Sequence, residues 1–205
     1  MMPTPPWKSI CRNFTGNTEH SLHLLQVNPI CLRRWGLDIW QLTDEQMMTF
    51  IETQFRTLGM FSSFKIPITV FRQWLAAVRE LYHPNPFHNF YHAFSVCHTT
   101  FLLLHTINAP RYLRPLDILA CMVAALCHDL DHPGHTNAFE INKSTPLALV
   151  HLDDAVLEHH HAHMTFEILF RDNGACNIFA NLTNEDYKEV RRSILDVRSL
   201  KSVFR

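Results

Sequence analysis

The sequence has little glycine, 5 residues in 205, and almost no net charge, with 18 basic and 19 acidic side chains summing to −1 when histidine is neutral. Scarce glycine suits a helical chain, because glycine costs about 1 kcal/mol relative to alanine in a helix interior. Balanced charge removes the global reason to expect a nucleic acid or an anionic membrane as partner. Long apolar runs are missing too. The longest, Ile118 to Cys127, falls far short of the about 18 residues that a membrane span needs. The N-terminal text MMPTPPWKSICRNF lacks the apolar centre of a signal peptide. No cysteine pair is spaced CxxC; Cys97, Cys121 and Cys127 sit in apolar stretches, where free thiols pack as small hydrophobes. That usage predicts a reducing compartment and a cytoplasmic location.

What remains is a chain of globular composition, 47% hydrophobic and 18% charged, of a length that fits one domain. Residues 1–30, with prolines at 3, 5, 6 and 29, are expected to form a poorly structured lead-in; residues 31–205 carry the domain. From about Leu37 the pattern is helical. Thr43 stands as N-cap with Gln46 at the capping-box position, and Met47, Phe50, Ile51 and Phe55 follow on one face. Pro67 opens a helix bearing Phe71, Trp74, Leu75, Val78 and Leu81. Further helices are predicted over about 89–104, from Pro115 to His128 with Pro133-Gly134 as its break, and over about 137–143, 146–150, 155–171 and 184–203. No stretch alternates with the period of a strand, so the fold class is all-α.

The abundant residue is histidine, 15 in all, which suits a metal or proton-handling site. Three segments concentrate it. His88 and His92 stand four apart, a spacing that puts two imidazoles on one face of a helix. His128-Asp129-Leu130-Asp131-His132-Pro133-Gly134 offers an adjacent imidazole and carboxylate beside a helix break. Glu158-His159-His160-His161 follows, with His163 just after. Such donors suit Zn²⁺, Mn²⁺ or Mg²⁺. Each segment alone has an ordinary reading: a buried, hydrogen-bonded histidine, a chance dipeptide, a solvated histidine run. The conjunction is the specific feature, with His128 placed 36 residues after His92 and Glu158 a further 30 along.

On those residues the sequence resembles the metal-dependent 3′,5′-cyclic-nucleotide phosphodiesterases, which share the wider HD-type hydrolase arrangement. The matching text is FHNFYHAFSV at 87–96, HDLDHPGHTN at 128–137 and LEHHH at 157–161. WGLDIWQL at 35–42, FKIP at 64–67 and FRQWLAAVRELYH at 71–83 resemble the helices that precede the site, and CNIFANL at 176–182 is similar to a cGMP-preferring branch. The resemblance spans about residues 31–195. It implies a compact multi-helix catalytic domain that hydrolyses cGMP or cAMP to the 5′-monophosphate in signal transduction. It implies His88 as donor of a proton to the departing 3′ oxygen and Glu158 as the carboxylate that orients it. His92 and His128 match zinc ligands, and Asp129 matches the carboxylate that binds zinc and bridges to a second cation, Mg²⁺ or Mn²⁺. His132, Asn137, His160 and His161 match residues that hold metal-associated water or line the pocket. A cation that acidifies water and clamps phosphate oxygens, beside an imidazolium acid, is the chemistry a phosphodiester requires.

The sequence also departs from that family. A later helix of the family supplies a second aspartate ligand, followed by the glutamine and ring clamp that read the purine; here the text ends VRRSILDVRSLKSVFR. Asp196 comes several residues too early for the ligand position. The expectation is a domain incomplete at its C-terminus, inactive or nearly so as this chain alone. His159 stands where the family commonly has asparagine, and Ala155 replaces a common serine. Two other readings stay open: a non-catalytic metal-binding regulator that pairs with a full-length relative, and an HD-type phosphohydrolase of another phosphate ester. The segment Lys188–Arg205 holds six basic and two acidic side chains, read as a solvated helix face rather than a membrane anchor.

Overall fold

The computed structural model describes Leu32, Arg33 and residues 35–203, of which 197–203 as backbone only. The predicted lead-in over 1–30, together with Cys11 and Cys31, lies outside the described residues, as do Arg205 and the side chains of Arg198 and Lys201. Among the described residues the fold is all-α, with no strand.

Helix α1 (Asp44–Thr57) begins where its local chemistry dictates: the Thr43 hydroxyl accepts from the Gln46 N–H and the Gln46 side chain accepts from the Thr43 N–H. Its predicted stripe of Met47, Phe50, Ile51 and Phe55 is buried. Gly59, at φ +74°, turns the chain into α2 (Met60–Ser63), a single turn that the periodicity did not reveal. Helix α3 (Ile68–Glu80) follows Pro67 and buries Phe71, Trp74, Leu75 and Val78. It lies on α1 through rings: Phe55 and Phe71 are 4.9 Å apart and Phe55 and Trp74 6.1 Å, centroid to centroid. Outside that seam Arg72 pairs with Glu52 at 2.8 Å and Arg79 pairs with Asp44.

Helix α4 (Phe90–Thr106) and helix α5 (Pro115–Cys127) form the centre. Pro115 occupies the first turn of α5, as predicted, and Asp117 closes the start by accepting from Arg114. Leu116, Ile118, Leu119, Ala120 and every residue from Met122 to Cys127 are buried. A helix apolar all round must be enclosed by other helices, and α4 on one side and α9 (Asn184–Val203) on another enclose it. Arg114 fastens α9 at the rim by pairing with Glu189 as well as Asp117. Burial of each large apolar side chain in such a core contributes about 1.5–3 kcal/mol. The short helices α6 (Asn137–Asn142) and α7 (Pro146–Val150) then lead to α8 (Val156–Phe170), which packs against α3, α5, α7 and α9.

Two helix ends shape the site, and the second departs from the expectation that His88 and His92 share one helix. Helix α5 ends at Cys127 with His128 as its C-cap, within one residue of the expected end and ahead of Pro133-Gly134. Tight turn bonds from Leu130 N–H to Cys127 O and from His132 N–H to Asp129 O, with Asp131 at φ +58°, end it there. His88 lies off the helix that carries His92, because Asn89 is extended and caps α4 by accepting from the His92 N–H at 3.2 Å.

Candidate metal centre

Helix α4 carries His92 in its first turn, and the C-cap of α5 carries His128 with Asp129 next to it. The three side chains converge. His92 Nε2 and His128 Nε2 are 3.0 Å apart, and Asp129 Oδ2 lies 3.2 Å from the first and 2.9 Å from the second. This is the one group of three or more His, Cys, Asp or Glu among the described residues whose donor atoms all approach one another closely enough to share an ion. Two donors bonded to one cation at about 2.1 Å and at right angles are about 3.0 Å apart, so the triangle has the edge lengths of three donors on one ion. The tautomer suits it as well. His128 Nδ1 donates to the Ala125 carbonyl at 2.9 Å, leaving the Nε2 lone pair facing the group. Asp129 is 5% exposed, and a carboxylate so buried needs partners or a cation.

His132 lies beside this group. Its ring stacks on His88 at 3.9 Å and 8°, and more loosely on His161 at 5.3 Å. The Gly134 N–H donates to His132 Nδ1 at 3.0 Å, so that nitrogen is the acceptor of a neutral ring. His161 Nδ1 donates to the Leu130 carbonyl at 2.7 Å, and its Nε2 is 4.0 Å from Asp129 Oδ1. Burial drives the His161 pKa down to about 3, against the upward pull of the Leu130 carbonyl and Asp129.

Asn137 has a defined task. Ala155, which precedes α8, offers no capping side chain and sits at φ +38°. Asn137 caps α8 from outside: its Oδ1 accepts from the Leu157 N–H at 2.8 Å, while its Nδ2 donates to Glu158 Oε2 at 2.9 Å. One side chain thus holds both the start of α8 and the Glu158 carboxylate. His159 Nδ1 donates to the Asp154 carbonyl at 2.6 Å, a local bond that anchors the ring at the rim.

The structure adds residues that the sequence reading passed over. His160 Nε2 donates to Asp131 Oδ2 at 2.8 Å, and His83 Nε2 donates to Asp131 Oδ1 at 2.6 Å. Burial raises the Asp131 pKa, but the hydrogen bonds from His160 and His83 outweigh it and leave the carboxyl below its ordinary value. Asn85 Nδ2 donates to the His132 carbonyl at 2.7 Å and to the His88 carbonyl at 3.2 Å. The Tyr82 hydroxyl donates to the Leu126 carbonyl at 2.7 Å. The repeated carboxylate of HDLDH was the signal available for Asp131; nothing local marked Tyr82, His83 or Asn85.

A model of the 3′5′-cyclic nucleotide phosphodiesterase family matches residues 87–197, more than half of the chain. A 3′,5′-cyclic-nucleotide phosphodiesterase regA of Dictyostelium discoideum is 39% identical over 81% of this chain and 21% of its own length. A high affinity cGMP-specific 3′,5′-cyclic phosphodiesterase 9A of Mus musculus is 38% identical over 80% of this chain and 30% of its own. Among solved structures, the phosphodiesterase domain of a rhodopsin phosphodiesterase fusion from the choanoflagellate Salpingoeca rosetta is similar at TM-score 0.77 and 41% identity, over 82% of this chain and 52% of that one. The chain therefore spans about half the length of that solved domain and less of the two curated relatives. With the His-His-Asp group on its all-α frame, the chain belongs to the 3′,5′-cyclic nucleotide phosphodiesterase family.

Proposed function

We propose that this chain carries the metal-binding part of a catalytic domain that hydrolyses 3′,5′-cyclic nucleotides, cGMP or cAMP, to 5′-monophosphates in signal transduction. The convergence of His92, His128 and Asp129 carries this reading. Those three residues would hold Zn²⁺, and the Asp129 carboxylate would also serve a second divalent cation, Mg²⁺ or Mn²⁺. Bound there, the cations supply Lewis acidity that polarises the phosphate and acidifies water.

The chain's own residues do the remaining work in this reading. Water oxygen bonds to phosphorus, the bond from phosphorus to the 3′ oxygen breaks, and His88 gives its proton to that oxygen. The His132 ring fixes the plane of His88 by stacking at 3.9 Å. Glu158, its carboxylate aimed by Asn137, orients and charges the acid. His132, His160 and His161 line the approach. The free thiols Cys97, Cys121, Cys127 and Cys176 support a reducing, cytoplasmic setting, and no helix of the described residues is long and apolar enough to cross a membrane.

The test is metal content and product formation on purified protein. The wild type is expected to retain divalent metal; this chain alone is expected to release little or no 5′-monophosphate from cGMP or cAMP, and its chimera with the remaining half of a related domain is expected to release it. His92→Ala and Asp129→Ala are expected to lose most of the bound metal. Metal content unchanged in both variants defeats the ligand assignment, and turnover of other phosphate esters but not of cyclic nucleotides moves the substrate elsewhere.

A further inference from the structure

We infer that Asp131 is a positioning residue for the metal loop: by clamping His83 to His160 it fixes the His128–Asp129 donor pair without touching a cation or substrate itself. The inference rests on reading His92, His128 and Asp129 as a cation site. Asp131 stands two residues beyond Asp129, yet it is outside the group whose donor atoms converge. Both of its carboxylate oxygens are engaged by imidazole N–H groups, His83 on Oδ1 at 2.6 Å and His160 on Oδ2 at 2.8 Å. Its backbone N–H is engaged as well, donating to the Leu81 carbonyl at 3.0 Å. One residue thereby joins the end of α3, the loop after α5 and the helix α8.

The conformation required is uncommon. Asp131 holds φ at +58°, a region that an ordinary side chain enters at a cost and that aspartate tolerates better than most. The surrounding bonds sustain it. The Leu126–His132 stretch is tied from the segment 81–85 by Leu81, Tyr82 and Asn85, and from α8 by His161 on the Leu130 carbonyl. Among those ties only the Asp131 carboxylate grips both sides at once. Side chains that orient metal ligands in this way, one shell out, typically change metal affinity by about 10–100-fold when removed. Asp131 supplies a negative charge and two acceptors at the one position from which both neighbouring elements can be reached.

The experiment compares the wild type with Asp131→Ala, His83→Ala and the double variant. The His83 side chain is 47% exposed, so its loss leaves the core intact if Asp131→Ala proves poorly folded. Zn²⁺ affinity is read by competition with a chromophoric chelator, the visible absorption of Co²⁺ reports donor geometry, and thermal unfolding of the metal-free proteins reports the fold. Asp131→Ala is expected to weaken Zn²⁺ binding by about 10–100-fold and to alter the Co²⁺ bands. His83→Ala is expected to weaken it less, with little added loss in the double variant, because the two act as one unit. Wild-type affinity and Co²⁺ bands in folded Asp131→Ala overturn the inference; should that variant not fold, wild-type values in His83→Ala overturn it. Additive losses in the double variant overturn it too. A wild type that holds no Zn²⁺ defeats the cation site itself, and this inference with it.

Discussion

His88 and His132 lie face to face, and the Gly134 N–H directed into His132 Nδ1 decides how the pair can hold charge. Two stacked imidazolium rings repel each other. A second proton on His132 would have to displace the Gly134 bond, which favours the proposed assignment of His88 as the acid. Replacing His88 with Gln keeps a polar side chain but removes a proton donor of suitable acidity. In a chimera that restores the rest of the domain, His88→Gln is expected to lower kcat for a cyclic nucleotide by about 10²–10⁴-fold, with metal content unchanged, as read by product formation beside elemental analysis. Equal loss of metal and rate would make His88 a ligand or a structural residue instead. Asp129→Ala should show the opposite pattern, losing metal first. At this scale the sequence was informative where chemistry is unusual: spacing and residue type marked the segments, the family resemblance picked His92, His128 and Asp129 from them, and their donors do converge. It was silent on Tyr82, His83 and Asn85, because a hydrogen bond between segments 44 to 48 residues apart has no local signature.

The loop between α5 and α6 shows how an element without regular structure is held. Gly134 sits at φ +85°, and a Cβ built there would lie 3.0 Å from Asn85 Oδ1. Asn85 in turn holds the carbonyls of His88 and His132. Gly134→Ala therefore combines a left-handed backbone penalty of about 1–2 kcal/mol with displacement of the side chain that joins the two stacked histidines. Chemical denaturation is expected to show a loss of at least that size, accompanied by a larger fall in turnover than distant variants of equal stability show. A loss below about 0.5 kcal/mol would mean that the loop relaxes freely. The long helices were legible for the opposite reason. The stripe of α1, the Pro115 start of α5 and the Thr43 capping box are local consequences of side-chain type at a 3.6-residue period. The end of α5 was legible to within one residue, His128 expected and Cys127 found, but the turn bonds around Asp129 and the tie from Leu81 to Asp131 that shape the loop beyond it had no local signature.

For the molecule as a whole, the burial of ionisable groups links the site to stability. The all-α frame encloses α5 between α4 and α9 and sets His161 against the loop, where it is 3% exposed. The chain covers 52% of the solved Salpingoeca rosetta domain, so a chimera carrying the remaining half of that domain is expected to turn over cyclic nucleotide faster than the chain alone; equal rates would place the whole machinery within 1–205. The acid response is expected in either form. His161 falls to about 3 in the folded protein from an ordinary 6.5. A depressed histidine pKa means that, between those values, the unfolded chain binds a proton that the folded chain refuses. The stabilisation from neutral His161 is thus complete above about pH 6.5 and drains away as the pH falls toward 3, at up to about 1.4 kcal/mol per pH unit. Asp129, His132 and His160 also act on the same ring, so the informative quantity is a difference. In metal-free protein, His161→Gln keeps a donor for the Leu130 carbonyl but has nothing to protonate. Its unfolding free energy, measured by denaturant titration from pH 7 to pH 4, should fall less steeply than the wild type's by up to that same slope. Parallel pH profiles would mean that His161 takes its proton in the fold as readily as in water, and that its enclosure is looser than its 2.7 Å bond to Leu130 implies.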